Sequence, residues 1–310
     1  NEIGVILAHY LFAREPVPRP ARPAQQKFAV TTVVTTSLFS RMARASGVRV
    51  VDDLCVGFMY IADVINTIEA TVRYGDIAST TDGFVIGIEE SHGYLVVPSI
   101  RDKDAAGAAV LLAEIASRLK GRGVSFVDQL DDIYRELGYV RNFLVSTVML
   151  GATGFSNMRR IQESLRSKPP AVIGGRKVVA TDDRWLETGP LGKIVSETDR
   201  MSRDLLTFRL EGDARIILRP SGTESKNKIY VEVSGKPLGK SASAEVLRAE
   251  KQKIDDAARG LGRAFTLEML SRIGVSLPDY ALEISDLVAL ENNLDFAEKL
   301  LPELVCRLGR

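Results

Sequence analysis

Arg219-Pro220-Ser221-Gly222-Thr223-Glu224-Ser225-Lys226-Asn227-Lys228 gathers almost every group an anion seeks into one short stretch. A guanidinium grips two phosphate oxygens at once. The hydroxyls of Ser221 and Thr223, the backbone N–H groups freed by Gly222 and the ammonium groups of Lys226 and Lys228 offer donors for the remaining oxygens. The same residues also make ordinary turn chemistry, so composition leaves two readings open, a phosphate cradle and a polar hairpin turn. A second cluster, Glu89-Glu90-Ser91-His92, lies upstream. Its carboxylates, hydroxyl and imidazole supply acceptors and donors, the complement of a polyhydroxylated ring. Adjacent carboxylates do not share a buried site while both charged, so one is expected to face ligand or solvent and the other a local partner. His92 reads first as a hydrogen-bonding loop residue and second as a general base that moves a hydroxyl proton near neutrality. His9 has no motif around it and reads as a surface or packing residue. Asp182 and Asp183 lack a third ligand at useful spacing and make a weak metal site.

These groups need elements to hold them. Ile216–Leu218 lead into the basic loop and Ile229–Val233 lead out, with the β-branched and aromatic content of strands. Glu89 follows Gly83-Phe-Val-Ile-Gly-Ile, a compact apolar run of the kind buried in an α/β sheet, whose C-terminal end is where such sheets place ligand crevices. Upstream, a strand from Lys27, a helix Leu38–Ser46 capped by Ser37 and stopped at Gly47, a strand at Val48–Val51 and a helix Met59–Tyr74 alternate as a helix-covered parallel or mixed sheet does. Asp104 is placed to cap a helix from Ala105 to Leu119, beside Arg101 and Lys103. From Phe143 the pattern becomes strands and hairpins with interspersed helices, including a Glu-Gly-Asp turn between Leu205–Leu210 and Ala214–Leu218; this predicts an α+β domain on an antiparallel sheet. The expected divisions are 1–12, a Pro-rich connection at 13–26, an α/β domain at 27–125, an α+β domain at 126–235 and a helical extension at 236–310. In that extension, helices are expected from Glu245 to about Arg259, over Phe265–Ile273 and over Tyr280–Cys306.

Arg219-Pro-Ser-Gly-Thr-Glu resembles the phosphate-binding loop in the C-terminal domain of the α-D-phosphohexomutases, the phosphoglucomutase and phosphomannomutase family. Gly87-Ile-Glu-Glu-Ser-His-Gly-Tyr, followed by Arg101-Asp-Lys-Asp, is similar to the sugar-recognition loop of the family's third domain and the charged segment after it. The two motifs stand in the family's order, and the resemblance runs from residue 1 to about 235. Many members read Ser-Gly-His where this chain has Ser91-His92-Gly93. A third family loop usually reads Thr-Gly, an aromatic, then Lys; Gly57 and Phe58 match it, but Val56 and Met59 replace the Thr and the Lys. Taken alone, Gly57 is a strand-to-helix turn and Phe58 a core residue.

The resemblance implies that Arg219, Ser221, Gly222, Thr223 and Lys228 hold a phosphate, and that Gly57, Glu89, Ser91, His92, Arg101 and Lys103 face the sugar. It implies an isomerase that interconverts a sugar 1-phosphate and 6-phosphate, glucose favoured, through a bisphosphorylated intermediate, with Mg2+ and a sugar bisphosphate activator. The family's phosphoserine and its Asp-rich metal loop have no counterpart here, since no Asp-x-Asp-x-Asp spacing occurs in the sequence. The 310 residues taken alone are therefore expected to be inactive, and a non-catalytic phosphosugar-binding module and a phosphopentomutase of the same superfamily stand as alternatives.

Composition agrees with a small-molecule partner. The chain is 45% hydrophobic and 26% charged with a net charge of +1, so no basic excess points to a nucleic acid or a membrane surface. Cys55 and Cys306, far apart, fit free thiols in a reducing cytoplasm. No apolar run reaches bilayer length. Asn1–Phe12 reads as an amphipathic helix already under way, without an initiator Met or a signal peptide's basic region, and the chain is expected to have been cut from a larger protein.

Overall fold

A computed structural model describes residues 1–13, 25–188, 191–222, 224–284 and 288–308. Most of the proline-rich connection and Thr223 therefore fall outside the described residues. The chain forms two compact units, residues 1–140 with 236–250, and residues 141–235 with 251–310.

The first unit is built on a four-stranded mixed sheet. Helix α1 (Glu2–Ala13) precedes β1 (Phe28–Thr32), α2 (Ser37–Ala45), β2 (Arg49–Leu54) and α3 (Phe58–Thr71). A two-stranded ribbon of β3 (Arg73–Tyr74) and β4 (Ile77–Ala78) leads to β5 (Phe84–Glu89) and β6 (Gly93–Leu95), then α4 (Ala105–Lys120) and α5 (Phe126–Leu137). Strand order is β2-β1-β5-β6; β1 runs parallel to β2 and β5, and β6 turns back antiparallel. The parallel strands β1 and β5 are buried along most of their length, and Phe28, Val30, Phe84 and Leu95 pack against Ile61, Ile65 and Ile68 of α3. This is the arrangement expected of apolar strands whose connecting helices lie on the sheet faces.

Local chemistry sets the helix ends. The α2 cap is Thr36, whose hydroxyl accepts from Leu38 N, rather than the expected Ser37. Asp104 caps α4 as expected, with Oδ1 accepting from Gly107 N at 2.8 Å. Ser125 and Asp128 close a reciprocal capping box on α5. Helix α3 stops three residues before the expected Tyr74, at Val72, whose φ of 52° ends the helical ladder.

The second unit carries a six-stranded sheet in the order β7-β12-β11-β10-β9-β8. Its elements are β7 (Val140–Val148), α6 (Gly151–Ser167), β8 (Val172–Ile173), β9 (Arg176–Asp183), α7 (Glu197–Arg203), β10 (Leu206–Leu210), β11 (Ala214–Pro220) and β12 (Lys226–Ser234). The pairs from β8 to β12 are antiparallel, and Glu211-Gly212-Asp213 turns β10 into β11 as the sequence suggests. Helix α8 (Ala244–Ser271) is continuous, where an interruption was expected near its glycines. Gly262 explains one of them: a Cβ there would lie 3.2 Å from Val145 and 3.3 Å from Phe143, so the missing side chain lets α8 settle on β7. The expected single helix over Tyr280–Cys306 is instead a 3-10 turn at Asp279–Glu283, then α9 (Leu290–Asp295), a π turn and α10 (Leu301–Leu308).

Candidate functional site

Each unit holds one of the two sequence clusters. In the first, β1, β2 and β5 run parallel, so their C-terminal ends share one edge of the sheet. That edge presents Glu89, the last residue of β5, and Gly57, which follows β2 and caps α3 with φ 140° and ψ 131°. This backbone conformation belongs to glycine, which accounts for its place in the turn.

Glu89 is 8% exposed. Its side chain lies over Gly93, its cross-strand partner, where a Cβ would come within 2.5 Å of the Glu89 Cγ. Lys103 approaches from the segment before α4, with Nζ 3.6 Å from Glu89 Oε1 and 4.9 Å from the centroid of the Phe58 ring. Burial pushes the Glu89 carboxyl above the ordinary carboxylate range, and Lys103 opposes that shift in part. Phe58, 4% exposed, is thus both core and platform, a second role not evident from its apolar setting alone.

The turn after Glu89 is open to solvent. Ser91 and His92 are exposed, and the Ser91 hydroxyl lies 3.1 Å from Glu90 Oε2. His92 has φ 62°, a left-handed conformation that favours glycine. Arg101, expected to reach a ligand, is engaged elsewhere: its guanidinium donates to Asn66, Glu69 and the Pro98 carbonyl. It ties the loop before α4 to α3, a role hidden in sequence because its acidic partner lies 32 positions away. The structure therefore brings Glu89, Lys103, Phe58 and Gly57 to one sheet edge, leaves Ser91 and His92 exposed beside Glu89, and turns Arg101 towards α3.

In the second unit the β11–β12 hairpin carries the anion-seeking loop. Arg219 and Lys228 face each other across the two strands. Like charges directly opposite destabilise a ladder by a few tenths to about 1 kcal/mol, so the pair costs stability when no anion lies between them. Arg219 Nε is buried and has no hydrogen-bond partner among the described residues. Ser221 N donates to Lys226 O at 2.9 Å, and Ser221 Oγ accepts from Glu224 N at 3.3 Å, which holds the loop closed. Lys226 is spent on Glu224 at 2.9 Å, so Arg219 and Lys228 are the cations the hairpin presents. Thr223 lies outside the described residues.

Among the described residues no three His, Cys, Asp or Glu side chains gather to hold an ion. Asp183 is occupied by Arg166 at 2.8 Å and Asp182 lies 3.6 Å from Arg184. Among the described residues no helix is long and apolar enough to cross a membrane.

Residues 1–137 match the family model described as phosphoglucomutase/phosphomannomutase, alpha/beta/alpha domain III. A phosphoglucomutase of Staphylococcus haemolyticus is 31% identical over 235 residues, covering 76% of this chain and 40% of that protein. Another, from Staphylococcus epidermidis RP62A, is 31% identical over 262 residues, covering 83% and 42%. The chain thus spans about two fifths of the length of these curated relatives. Among solved structures, the open form of pp63/parafusin, a phosphoglucomutase from Paramecium, aligns with a TM-score of 0.48 at 17% identity, covering 84% of this chain and 42% of that one.

Proposed function

From the premise that the chain belongs to the phosphoglucomutase/phosphomannomutase family, we propose that it supplies the substrate-holding part of a phosphohexomutase acting on glucose phosphates. In this reading Arg219, Ser221, Gly222, Thr223 and Lys228 hold the phosphate that is not reacting. Glu89, Ser91 and Lys103, with Gly57 shaping the neighbouring turn and His92 at the rim, hold the ring hydroxyls. Arg101 positions the Lys103 segment by anchoring it to α3. Transfer between the 1- and 6-positions through a bisphosphorylated sugar asks a protein mainly for positioning and for charge to offset the phosphates. The residues named bind and position the phosphosugar, and the chemistry that the family's phosphoserine and Mg2+ would supply is not theirs. Cys55 and Cys306, neither of them in a disulfide, support a reducing, cytoplasmic setting.

The observation that carries the reading is the opposed pair Arg219 and Lys228, with the Arg219 Nε buried and unpartnered among the described residues. A phosphate between the two cations would give the Arg219 Nε an acceptor and offset both charges. Calorimetric titration with glucose 1-phosphate tests this, with glucose and inorganic phosphate as separate arms. We expect weak saturable binding of the phosphosugar that drops about ten- to a hundredfold in Arg219→Ala, the worth of one charge-assisted hydrogen-bonding group. Equal binding by the folded variant would remove the loop from the function.

A further inference from the structure

Beside the phosphate loop, within the second unit, lies a cavity of about 500 Å³ that shares Ser221 and Gly222 with that loop and is otherwise lined by residues to which the function above gives no role. Its size is that of a small-molecule site. Pro220, Ser221 and Gly222 form one wall, and Gly222 packs so closely on Met201 of α7 that a Cβ there would stand 3.2 Å from the sulfur. The opposite side is α6, which contributes Met158 and Gln162. The remaining wall holds Trp185, the chain's single tryptophan.

Three features define what would fit. Trp185 is half-buried, and the guanidinium groups of Arg166 and Arg200 lie 5.3 and 5.5 Å from its ring centroid, so a flat π system meets planar surfaces on arrival. Arg166 is held rigidly, 2.8 Å from both Asp183 and Asp204, whereas Arg159 is exposed at the rim and Arg200, also exposed there, is paired loosely, 3.5 Å from Glu197, a contact that a phosphate would displace. Gln162 is only 2% exposed, yet its Oε1 and Nε2 both lack a hydrogen-bond partner among the described residues. A buried amide left unmet in this way destabilises the fold until a partner arrives. Turning it into the cavity offers an adjacent donor and acceptor, the pair with which Gln reads the N6/N7 edge of adenine.

We propose that this cavity is a second ligand site, for a purine nucleotide: the base lies against Trp185 and pairs with the Gln162 amide, and the phosphate reaches Arg159 and Arg200. Met158 and Met201 provide walls that adapt as Gln162 turns. Because the site shares Pro220–Gly222 with the phosphate loop, its occupant would bear on that loop. That coupling rests on the function proposed above; the binding does not.

Trp185 reports the event directly. Its emission is followed while the chain is titrated with AMP, with adenosine and with ribose 5-phosphate, in the wild type and in Arg219→Ala. The expected result is saturable quenching by AMP, weaker quenching by adenosine and none by ribose 5-phosphate, an order that persists in Arg219→Ala, so that failure of the phosphate loop leaves this result standing. Gln162→Leu should weaken AMP about tenfold or more, the loss of a hydrogen-bonded pair; Arg200→Ala, at an exposed position, gives a second variant if Gln162→Leu does not fold. No saturable quenching at millimolar AMP, equal quenching by ribose 5-phosphate, or an AMP affinity indifferent to both substitutions would each overturn the proposal.

Discussion

In the proposed reading Glu89 is pulled two ways: the charged carboxylate is the stronger acceptor for sugar hydroxyls, and burial resists the charge. The carboxyl's raised folded value means that the stability associated with its neutral form is fully present below the ordinary carboxylate range and is lost as pH rises through the folded value. Glu89→Gln removes that dependence. We expect the variant to match or exceed the wild type in thermal stability near neutral pH, by up to about 1 kcal/mol, with the advantage vanishing near pH 4. Paired melts across that range measure it, and the same variant should bind glucose 1-phosphate more weakly. Destabilisation beyond about 2 kcal/mol at neutral pH would instead make Glu89 a structural partner of Lys103. At this scale the sequence identified residue types well and partners poorly. Glu89 and Lys103 were set on the same sugar by the family resemblance and stand 3.6 Å apart, but that Arg101 would be drawn to α3, or that Phe58 would lie under Lys103, depends on the path of the chain between them. The cavity beside Trp185 left no sequence signal, because its walls come from four separate segments.

Helix α8 shows how elements were legible in kind and less so in extent. Its glycines lower helix propensity and suggested a break, yet the helix runs through them. What sequence could not supply was the surface facing each one. Gly262 is buried against Phe143 and Val145, whereas Gly260 is exposed with no atom within 4 Å of an added Cβ. Gly260→Ala should therefore stabilise by up to about 1 kcal/mol through propensity alone. Gly262→Leu should cost about 1–3 kcal/mol by overpacking. Urea midpoints for the two variants decide; if both move the same way, α8 is not seated on β7. The strands fared better, because apolar runs such as Phe84–Ile88 admit few alternatives in length or face. The α2 cap shifted by one residue because Thr36 and Ser37 are equally suited to the role and only backbone direction separates them.

For the molecule as a whole, the alternation of strand and helix announced the mixed sheet of the first unit, and successive hairpins announced the antiparallel sheet of the second. Strand order was not legible, since β5 joins β1 across α2, β2, α3 and the ribbon. The two cysteines, first read only for what they say about redox environment, give the chain a built-in clock. Cys306 is exposed on α10, while Cys55 is 2% exposed in the turn between β2 and α3 of the first unit. A thiol-reactive probe should add one mass increment at once and a second only as often as the first unit opens. Intact-mass spectra taken over time would read that opening frequency directly, and simultaneous addition at both positions would mean that the turn carrying Cys55 is loose. Each molecule thus counts its own excursions from the folded state, with no label introduced and no residue exchanged.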